Sequence, residues 1–456
     1  MSARPLVVID IVGLTPALLE HAPALRRLAD DGFMATLDPV IPAVTCTAQS
    51  SMLTGGLPRQ HGIVANGWYF RDLAEVWFWR QANQLVLGEK VWEAARRRVP
   101  DFRCAQLFWW YNMYASVDWS VTLRPIYPAD GRKIPALYSS PVELSTELEN
   151  ELGAFPMFNF WGPAAGIQSS QWIARCAERV LERCRPTLAL VYLPHLDYSF
   201  QRLGPGDARV LPEVAAVDAL AGRLIERARG AGADVLVVSE YGIEDAVAVV
   251  HINRVLREHG YVSVRETLGW EQLDCGASRA FAVADHQVAH VYVNDPRDVA
   301  AVQALLARTH GIERVLDAGG KAQHGLDHPR SGELIAIAEH GHWFSYYYWQ
   351  DNSRAPDYAR TVDIHRKPGY DPAELFVDPK LKLPKLRIAA RVAQKMLGFR
   401  MLMDVIPLDA ALVKGTHGRA PASAQVGPLV IGSRREFAAQ RYAMTDVKSL
   451  VLRHWD

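Results

Sequence analysis

The residues with the clearest chemical potential lie between positions 42 and 66, in a stretch that is dense in hydroxyl side chains. An apolar run precedes it, and Gly55 and Gly56 follow its last hydroxyl. The hydroxyl-bearing residues are Thr45, Thr47, Ser50, Ser51 and Thr54. Where a helix begins after a strand, free N–H groups and the helix dipole favour an anion or an alkoxide. The stretch is therefore either a polar first turn with an ordinary N-cap or the site of a nucleophilic hydroxyl.

A carboxylate after the first predicted strand favours the second interpretation. The apolar run from Pro5 to Ile9 is typical of a buried parallel strand, and Asp10 comes directly after it. Open α/β sheets bind their ligands at the carboxyl ends of such strands. A carboxylate there can hold a metal ion beside the hydroxyl of Thr45, and a metal ion lowers the pKa of a hydroxyl directly.

The segments VVIDIVGL and PAVTCTAQSSMLTGGLPRQHGIVAN together resemble the opening of the alkaline phosphatase superfamily, in particular its nucleotide pyrophosphatase/phosphodiesterase branch. That branch has a strand ending in a metal-binding Asp, then a Thr nucleophile, then a TG-x-x-P-x-x-HGI-x-x-N run. The resemblance implies that Asp10 binds metal and that Thr45 is both nucleophile and metal ligand. Two positions depart from the pattern: Thr47 replaces a Pro, and Ala48 replaces an Asn that helps to hold a phosphate oxygen.

A second strand end continues the same pattern. The apolar run 187–193 is followed by Asp197, Gln201 and the Gly204-Pro205 pair. The family has D-x-x-x-H here, and its Asp and His bind the first zinc. The resemblance therefore implies that Asp197 is a metal ligand, whereas Gln201 replaces the His. Because an amide oxygen is a harder and weaker ligand than imidazole, Gln201 would be an unusual ligand.

A third strand end departs further from the family. The apolar run 233–238 leads into Ser239, Glu240, Tyr241 and Gly242, where the family has S-D-H-G with the Asp and His on the second zinc. Glu240 keeps the carboxylate but is longer by one methylene. Tyr241 replaces an imidazole with a phenol, whose ordinary pKa is about 10, so it would bind as phenolate or not at all. Tyrosine suits ferric iron better than zinc, so the identity of the metal stays open.

The remaining predicted site residues are one metal ligand and three substrate contacts. His417 lies in a KGTHG segment that resembles the family's late G-x-H-G, whose His completes the first zinc site. Asn66 ends the family's HGI-x-x-N run, and we expect it to contact substrate. His286 in a predicted cap and His365 in a polar loop are two further expected substrate contacts. For both histidines a purely structural role is the alternative.

The strand and helix pattern predicts an α/β fold, a three-layer sandwich with a mostly parallel central sheet. The resemblance covers nearly the whole chain in order. Residues 1–260 and 339–456 are predicted to form the core, with an aromatic-rich insertion at about 67–165, and residues 261–338 to form an inserted small α+β cap. The clustered aromatics predict packing of the insertion onto the core, with a stacking surface as the alternative. Predicted helices include residues 15–31 and 211–229.

Composition limits the partners and the compartment. The 50 basic and 50 acidic residues balance, so no global basic field points to a nucleic acid polymer. No run of about 18 uncharged apolar residues occurs, so no membrane span is expected. The five scattered cysteines suggest reduced thiols and a cytoplasmic protein. They are Cys46, Cys104, Cys176, Cys184 and Cys275.

These observations predict a metal-dependent hydrolase that uses a Thr nucleophile. Its substrate would be a small phosphorylated molecule: a phosphodiester, a pyrophosphate, a phosphonate or a related metabolite. The expected cofactors are divalent metal ions, zinc first, with manganese or iron as alternatives. Two other functions stay open: a catalytically degenerate member that binds its ligand without hydrolysis, and a phosphate-ester mutase or isomerase on the same scaffold.

Overall fold

The computed structural model describes residues 3–129 and 132–456. The helices are α1 (Pro23–Asp31), α2 (Thr45–Thr54), α3 (Pro58–His61), α4 (Val91–Arg96), α5 (Glu143–Leu152), α6 (Ile167–Cys184), α7 (His195–Leu203), α8 (Leu211–Gly230), α9 (Ile252–Glu258), α10 (Val299–Ala307), α11 (Ala318–Gln323), α12 (Pro384–Met396) and α13 (Asp446–Leu452).

The strands are β1 (Leu6–Ile11), β2 (Phe33–Asp38), β3 (Gly67–Phe70), β4 (Glu75–Phe78), β5 (Cys104–Leu107), β6 (Trp119–Leu123), β7 (Leu137–Ser140), β8 (Leu188–Leu193), β9 (Asp234–Val238), β10 (Glu244–Asp245), β11 (Ala248–Val250), β12 (Val264–Thr267), β13 (Trp270–Leu273), β14 (Ala280–Asp285), β15 (Val288–Val293), β16 (Ile312–Leu316), β17 (Leu334–Ala338), β18 (His342–Phe344), β19 (Gly415–Thr416), β20 (Leu429–Gly432) and β21 (Arg441–Ala443).

A nine-stranded sheet forms the middle of the fold, in the order β21-β2-β20-β9-β1-β8-β5-β6-β7. Strands β9, β1, β8, β5 and β6 run parallel to one another, whereas β20 and β7 are antiparallel to their neighbours. Strands β1 and β8 are buried along their whole length, as expected where helices cover both faces of a parallel sheet. Helices α1, α6 and α8 pack together, and α2 and α4 pack against α13. The predicted α/β sandwich with a mostly parallel sheet is confirmed.

The register of the central strands explains how distant residues meet. Asp10 on β1 lies opposite Tyr192 on β8 and Val238 on β9. Strands β8 and β9 therefore end at the level of Asp10, and the residues after them, from His195 and from Ser239 onward, begin beside it. The carboxyl edge of the sheet thus gathers the three segments that the sequence pattern singled out.

The predicted aromatic-rich insertion contributes to the core. Its strands β5, β6 and β7 form one edge of the central sheet. Trp92, Trp109 and Trp110 are buried within the main hydrophobic cluster. These side chains therefore pack onto the core, the first of the two roles considered for the aromatic residues.

A four-stranded antiparallel sheet, in the order β14-β15-β17-β16, lies within the predicted cap. Its hairpin β14–β15 turns at His286 and Gln287, and His286 has a positive φ of 56°. The backbone N–H of Gln287 donates to the carbonyl of His417 at 2.9 Å, so the hairpin tip touches the late core segment. The boundaries at residues 261 and 338 stay a prediction.

The single helix predicted for residues 15–31 is wrong. A 3-10 turn (Pro16–His21) is followed by a separate helix α1 that begins at Pro23. Proline lacks the N–H that would continue the hydrogen-bond ladder, so it is tolerated in a first turn and breaks a helix interior. Over the described residues, none of the helices is long and apolar enough to cross a bilayer.

Candidate active site

Thr45 is the first residue of α2, and its helix start is fixed by side chains from elsewhere. The carboxamide oxygen of Asn66 accepts a hydrogen bond from the backbone N–H of Cys46 at 2.9 Å. Asp285 in turn accepts from the backbone N–H of Asn66 at 2.8 Å and from its side-chain nitrogen at 3.1 Å. Asn66 therefore orders the first turn of α2, and its predicted contact with substrate stays a prediction.

The Thr45 hydroxyl is linked to Asp197 through Tyr241. The Thr45 Oγ1 lies 3.0 Å from the Tyr241 hydroxyl, which donates to Asp197 Oδ1 at 3.3 Å. Burial raises the pKa of Tyr241 well above its ordinary value, and the nearby charges of Asp197 and Glu240 add to this. Burial also raises the pKa of Asp197, to about 7. In the protein alone, Tyr241 is therefore a neutral phenol beside a carboxyl group that titrates near neutral pH.

Asp10 and Glu240 form a buried pair of carboxyl groups bridged by Gln49. The Gln49 side-chain nitrogen donates to Asp10 Oδ2 at 3.1 Å and to Glu240 Oε1 at 2.7 Å. The backbone N–H of Trp110 donates to Gln49 Oε1 at 2.7 Å, which fixes the nitrogen end of the amide toward the two carboxyl groups. Burial raises the pKa of Asp10 to about 7 and that of Glu240 well above its ordinary range. The pair therefore shares protons near neutral pH unless a cation compensates it.

Gln201 is held by hydrogen bonds at both ends of its amide. Its nitrogen donates to Asp197 Oδ2 at 2.7 Å, and its oxygen accepts from the Tyr370 hydroxyl at 3.0 Å. The oxygen that the sequence predicted as a metal ligand is thus already bonded within the protein. One lone pair of this oxygen is therefore engaged with Tyr370, and only the second could face a metal ion.

Four aromatic rings stack through the site. Tyr241 lies on His417 with ring centroids 3.6 Å apart, His417 on His286 at 3.7 Å, and His286 on Tyr370 at 3.9 Å. The Nδ1 of His417 lies 2.8 Å from the carbonyl oxygen of Ala43 and must donate to it, because a carbonyl only accepts. Burial lowers the pKa of His417 to about 3, so the ring is neutral and its Nε2 carries a lone pair.

The structure brings eight of the ten predicted site residues into one continuous set of contacts. They are Asp10, Thr45, Asp197, Gln201, Glu240, Tyr241, His286 and His417. Asn66 lies one contact away, at the start of α2. His365 lies apart from them: its ring is 3.4 Å from the carbonyl of Phe78 and packs edge-on against Tyr127. Burial lowers the pKa of His365 to about 4, and its role as a substrate contact stays a prediction.

Two residues that bond to this set, Gln49 and Tyr370, and one that bonds to Asn66, Asp285, were not singled out from the sequence. Gln49 lies four positions after Thr45 and thus on the same face of α2, which is a signal that could have identified it. Tyr370 follows a loop and Asp285 ends a strand of the predicted cap. Neither has a sequence spacing that would place it here, because each is positioned by tertiary packing alone.

The donor atoms of this set fit a divalent cation. Asp10 Oδ1, Glu240 Oε2 and His417 Nε2 are buried atoms of typical metal ligands, and none has a hydrogen-bond partner within residues 3–129 and 132–456. His417 Nε2 lies 3.7 Å from Asp197 Oδ1, which is compatible with both atoms contacting one ion. Residues 3–129 and 132–456 contain no preassembled group of three or more His, Cys, Asp or Glu side chains in metal-binding geometry. Some side-chain adjustment would therefore accompany binding.

Comparison with solved structures supports the fold. Murine ectonucleotide pyrophosphatase/phosphodiesterase 5, an inactive variant in complex with AMP, shares 14% identity over 99% of this chain and 95% of its own, with a TM-score of 0.60. Phosphonoacetate hydrolase from Sinorhizobium meliloti, in complex with phosphonoformate, shares 14% over 100% and 96% of the two chains, with a TM-score of 0.63. At this identity the likeness concerns the fold alone. No curated protein sequence matches significantly.

The sheet, the strand-end carboxylates and the hydroxyl at a helix start together define an alkaline-phosphatase-like α/β protein. Residues 6–371 match the family of type I phosphodiesterases and nucleotide pyrophosphatases, and the chain belongs to this family. The family is named for hydrolases of phosphodiester and pyrophosphate bonds. The resemblance inferred from the sequence, and the enzyme class that it implies, are confirmed at this level.

Proposed function

We propose that this protein hydrolyses a phosphodiester, pyrophosphate or phosphonate bond of a small metabolite, with Thr45 as nucleophile and with divalent metal ions, zinc first, as cofactors. The observation that carries the proposal is the position of the Thr45 hydroxyl. It lies at the start of α2, among buried carboxyl groups, and in hydrogen-bond contact with Tyr241. Family membership supports the reaction class.

The path of the nucleophile's proton follows from the hydrogen bonds. Thr45 can donate its proton to the Tyr241 oxygen while the phenol proton moves to Asp197 Oδ1. Tyr241 passes the proton on and is again a phenol at the end of the step, because its raised pKa disfavours the phenolate. Asp197, with a pKa of about 7, can accept a proton near neutral pH. The Thr45 oxygen then bonds to phosphorus as the P–O bond of an ester or anhydride, or the P–C bond of a phosphonate, breaks. The leaving group takes up a proton, and water later cleaves the phosphothreonine.

Helix α2 and the donor atoms around it supply the electrostatics. The N-terminus of α2 favours negative charge at the Thr45 oxygen and on a phosphoryl group beside it. Asp10 and Glu240 would hold a cation near Thr45 while Asp197 accepts the proton, and Asp197 and His417 would hold a second cation only after that proton has left Asp197 Oδ1. Such ions lower the pKa of the nucleophile and stabilise the departing oxygen. Ala48, buried within α2, offers no side chain to a phosphate oxygen, so nucleotide specificity need not follow from the family.

The first test is turnover of bis(p-nitrophenyl) phosphate by protein loaded with zinc or manganese. Thr45→Ala should abolish turnover while metal content, measured by elemental analysis, is kept. Thr54→Ala is the matched control, because Thr54 lies at the other end of the same helix and bonds to the carbonyl of Ser50. Turnover by Thr45→Ala equal to that of the wild type would refute the role of Thr45.

A degenerate binding protein is the second candidate, favoured by the orientation of Gln201, whose amide nitrogen, which cannot bind a metal ion, faces Asp197. Calorimetry with AMP and phosphonoformate would then show binding of either ligand without turnover of any substrate. A mutase or isomerase on this scaffold would instead convert its substrate without incorporating oxygen from labelled water.

A further inference from the structure

Helix α12 lies on an excursion of the chain whose two ends meet. The backbone N–H of Asp378 donates to the carbonyl of Val405 at 2.7 Å, so the chain leaves the core and returns to it at one point. A small apolar cluster of Ala373, Val405 and Ile406 lies beneath, and Ile388 packs against it. No residue of α12, all of which the structure describes, is fully buried. We call residues 380–402 the basic excursion.

The polar side of α12 faces the protein, and its apolar side faces outward. Arg391 pairs with Asp404 at 3.1 Å, and Arg387 binds the same carboxylate. With Ile388, these contacts turn the arginine side of α12 toward the core. On the opposite side, Leu386, Ala390, Ala393 and Leu397 follow one another at four- and three-residue spacing and form an apolar stripe. The exposed large apolar residues of the basic excursion are Leu383, Leu386, Val392, Met396, Leu397, Phe399 and Leu402.

The exposure of these side chains is large, and their number in one segment is unusual for a monomeric surface. Met396 is 83% exposed, Leu397 75% and Phe399 65%. An amphipathic helix ordinarily turns its apolar stripe onto the core of its own protein. Here the orientation is reversed by Asp404, so the stripe is presented to something outside this chain.

The charge of the basic excursion identifies that partner. It contains seven Lys and Arg residues and no Asp or Glu. Asp404 pairs with two of them, and across the described residues no ion pair involves the other five: Lys380, Lys382, Lys385, Lys395 and Arg400. A second copy docked face to face would bring ten such charges together and be repelled. An anionic bilayer surface matches both features, because basic side chains attract its headgroups while the apolar side chains enter the acyl boundary.

We propose that the basic excursion docks this protein peripherally on an anionic lipid bilayer. Leu386, Met396 and Phe399 insert among the lipids, and Lys382 and Lys385 contact the headgroups. The inference does not depend on the proposed catalytic reaction, because it uses no residue of the candidate active site.

The test is co-sedimentation of the full-length protein with vesicles of phosphatidylcholine, with and without phosphatidylglycerol. Wild type should bind the anionic vesicles in preference, and less at high salt. The variant Lys382→Gln/Lys385→Gln should bind about 25-fold more weakly, since each lysine near the surface contributes about fivefold. The double variant Leu386→Glu/Met396→Glu should weaken it by at least about tenfold.

The matched control is Leu268→Glu, because Leu268 is 85% exposed on a hairpin outside the basic excursion. It should bind as wild type does, and all variants should keep the wild-type melting temperature. Equal binding to neutral and anionic vesicles, or no binding at low salt, would overturn the proposal. So would a concentration-dependent dimer that Leu386→Glu/Met396→Glu disperses, since the apolar stripe would then be a self-association surface.

Discussion

Two pairs of buried carboxyl groups in this molecule differ in the group that balances their charge. Asp371 and Glu374 have Lys367 between them, with its Nζ 2.7 Å from an oxygen of each, and all three side chains are almost inaccessible. Burial alone would lower the pKa of Lys367, but the two carboxylates raise it above its ordinary value, so the ammonium stays charged. Asp10 and Glu240 contact each other directly and share the Gln49 amide, and no Lys or Arg side chain lies between them in the described residues. One pair is compensated by an internal cation, the other by a dipole.

The difference matches a structural role for the first pair and the metal-binding role proposed for the second. A carboxylate pair with its own lysine needs nothing from solution. A pair held by an amide is oriented but has no positive charge to balance its carboxylates, and one oxygen on each carboxyl group has no hydrogen-bond donor in the described protein. An external cation can supply the missing charge. The pair that the fold leaves without an internal cation is the one beside Thr45.

The largest expected effect comes from removing the internal cation. Lys367→Met would leave Asp371 and Glu374 buried together without compensation and should lower the free energy of unfolding by about 3–5 kcal/mol, measured by urea denaturation. Arg366→Met is the control, because Arg366 pairs with Asp363 at the surface, where an ion pair contributes about 1 kcal/mol or less. Equal losses in the two variants would contradict the structural role of Lys367.

The next effect concerns the amide at the other pair. Gln49→Met keeps the volume but removes the hydrogen bonds that orient Asp10 and Glu240, and it should weaken binding of zinc or manganese by about 10–100-fold in chelator competition. Gln106→Met is the matched control. Gln106 is also a buried amide near Trp110, but its nitrogen donates to the backbone carbonyl of Trp110 and not to a carboxyl group. Tighter binding by Gln49→Met, or one additional ion per chain, would show that the amide replaces a cation and does not prepare a site for one.

Asp285 is an intermediate case, and its contribution can be measured from the pH dependence of the free energy of unfolding. It has no cation but accepts two N–H groups of Asn66, and burial raises its pKa to about 7. Between about pH 4 and pH 7 the unfolded state gives up this proton before the folded state does, so the stability of the fold falls as pH rises. Relative to Asp285→Asn, wild type should gain about 1–2 kcal/mol of unfolding free energy between about pH 8 and about pH 5. A pH-independent difference would mean that Asp285 titrates normally.

Much of the sheet and part of the site followed from local patterns. The continuous apolar runs before Asp10, Asp197 and Ser239 identified β1, β8 and β9, and the parallel register then places their ends together. The hydroxyl-rich run after Pro42 correctly marked the start of α2. These features depend on short-range sequence and on the geometry of a parallel sheet, which is why they were predictable.

The contacts that distinguish this site depend on long-range packing. The stack of Tyr241, His417, His286 and Tyr370 joins four segments whose meeting no spacing encodes. The direction of the Gln49 amide is set by one backbone N–H of Trp110, in the insertion. His365 was grouped with the site because its loop is polar, yet the path of that loop takes its ring to Phe78. In each case the deciding partner lies far away in sequence.

The smallest expected effect tests whether each carboxyl pair stabilises or destabilises the protein without metal. In metal-free protein at neutral pH, Asp10→Asn removes one of two adjacent acidic groups and keeps an oxygen that can accept from Gln49. The free energy of unfolding should stay within about 1 kcal/mol of wild type or rise. The same substitution at Asp371 removes a carboxylate that binds Lys367, and it should cost at least about 1.5 kcal/mol. If Asp10→Asn destabilises the apo protein as much as Asp371→Asn does, the carboxyl groups beside Thr45 are already compensated within the fold. They would then have no need of an external cation.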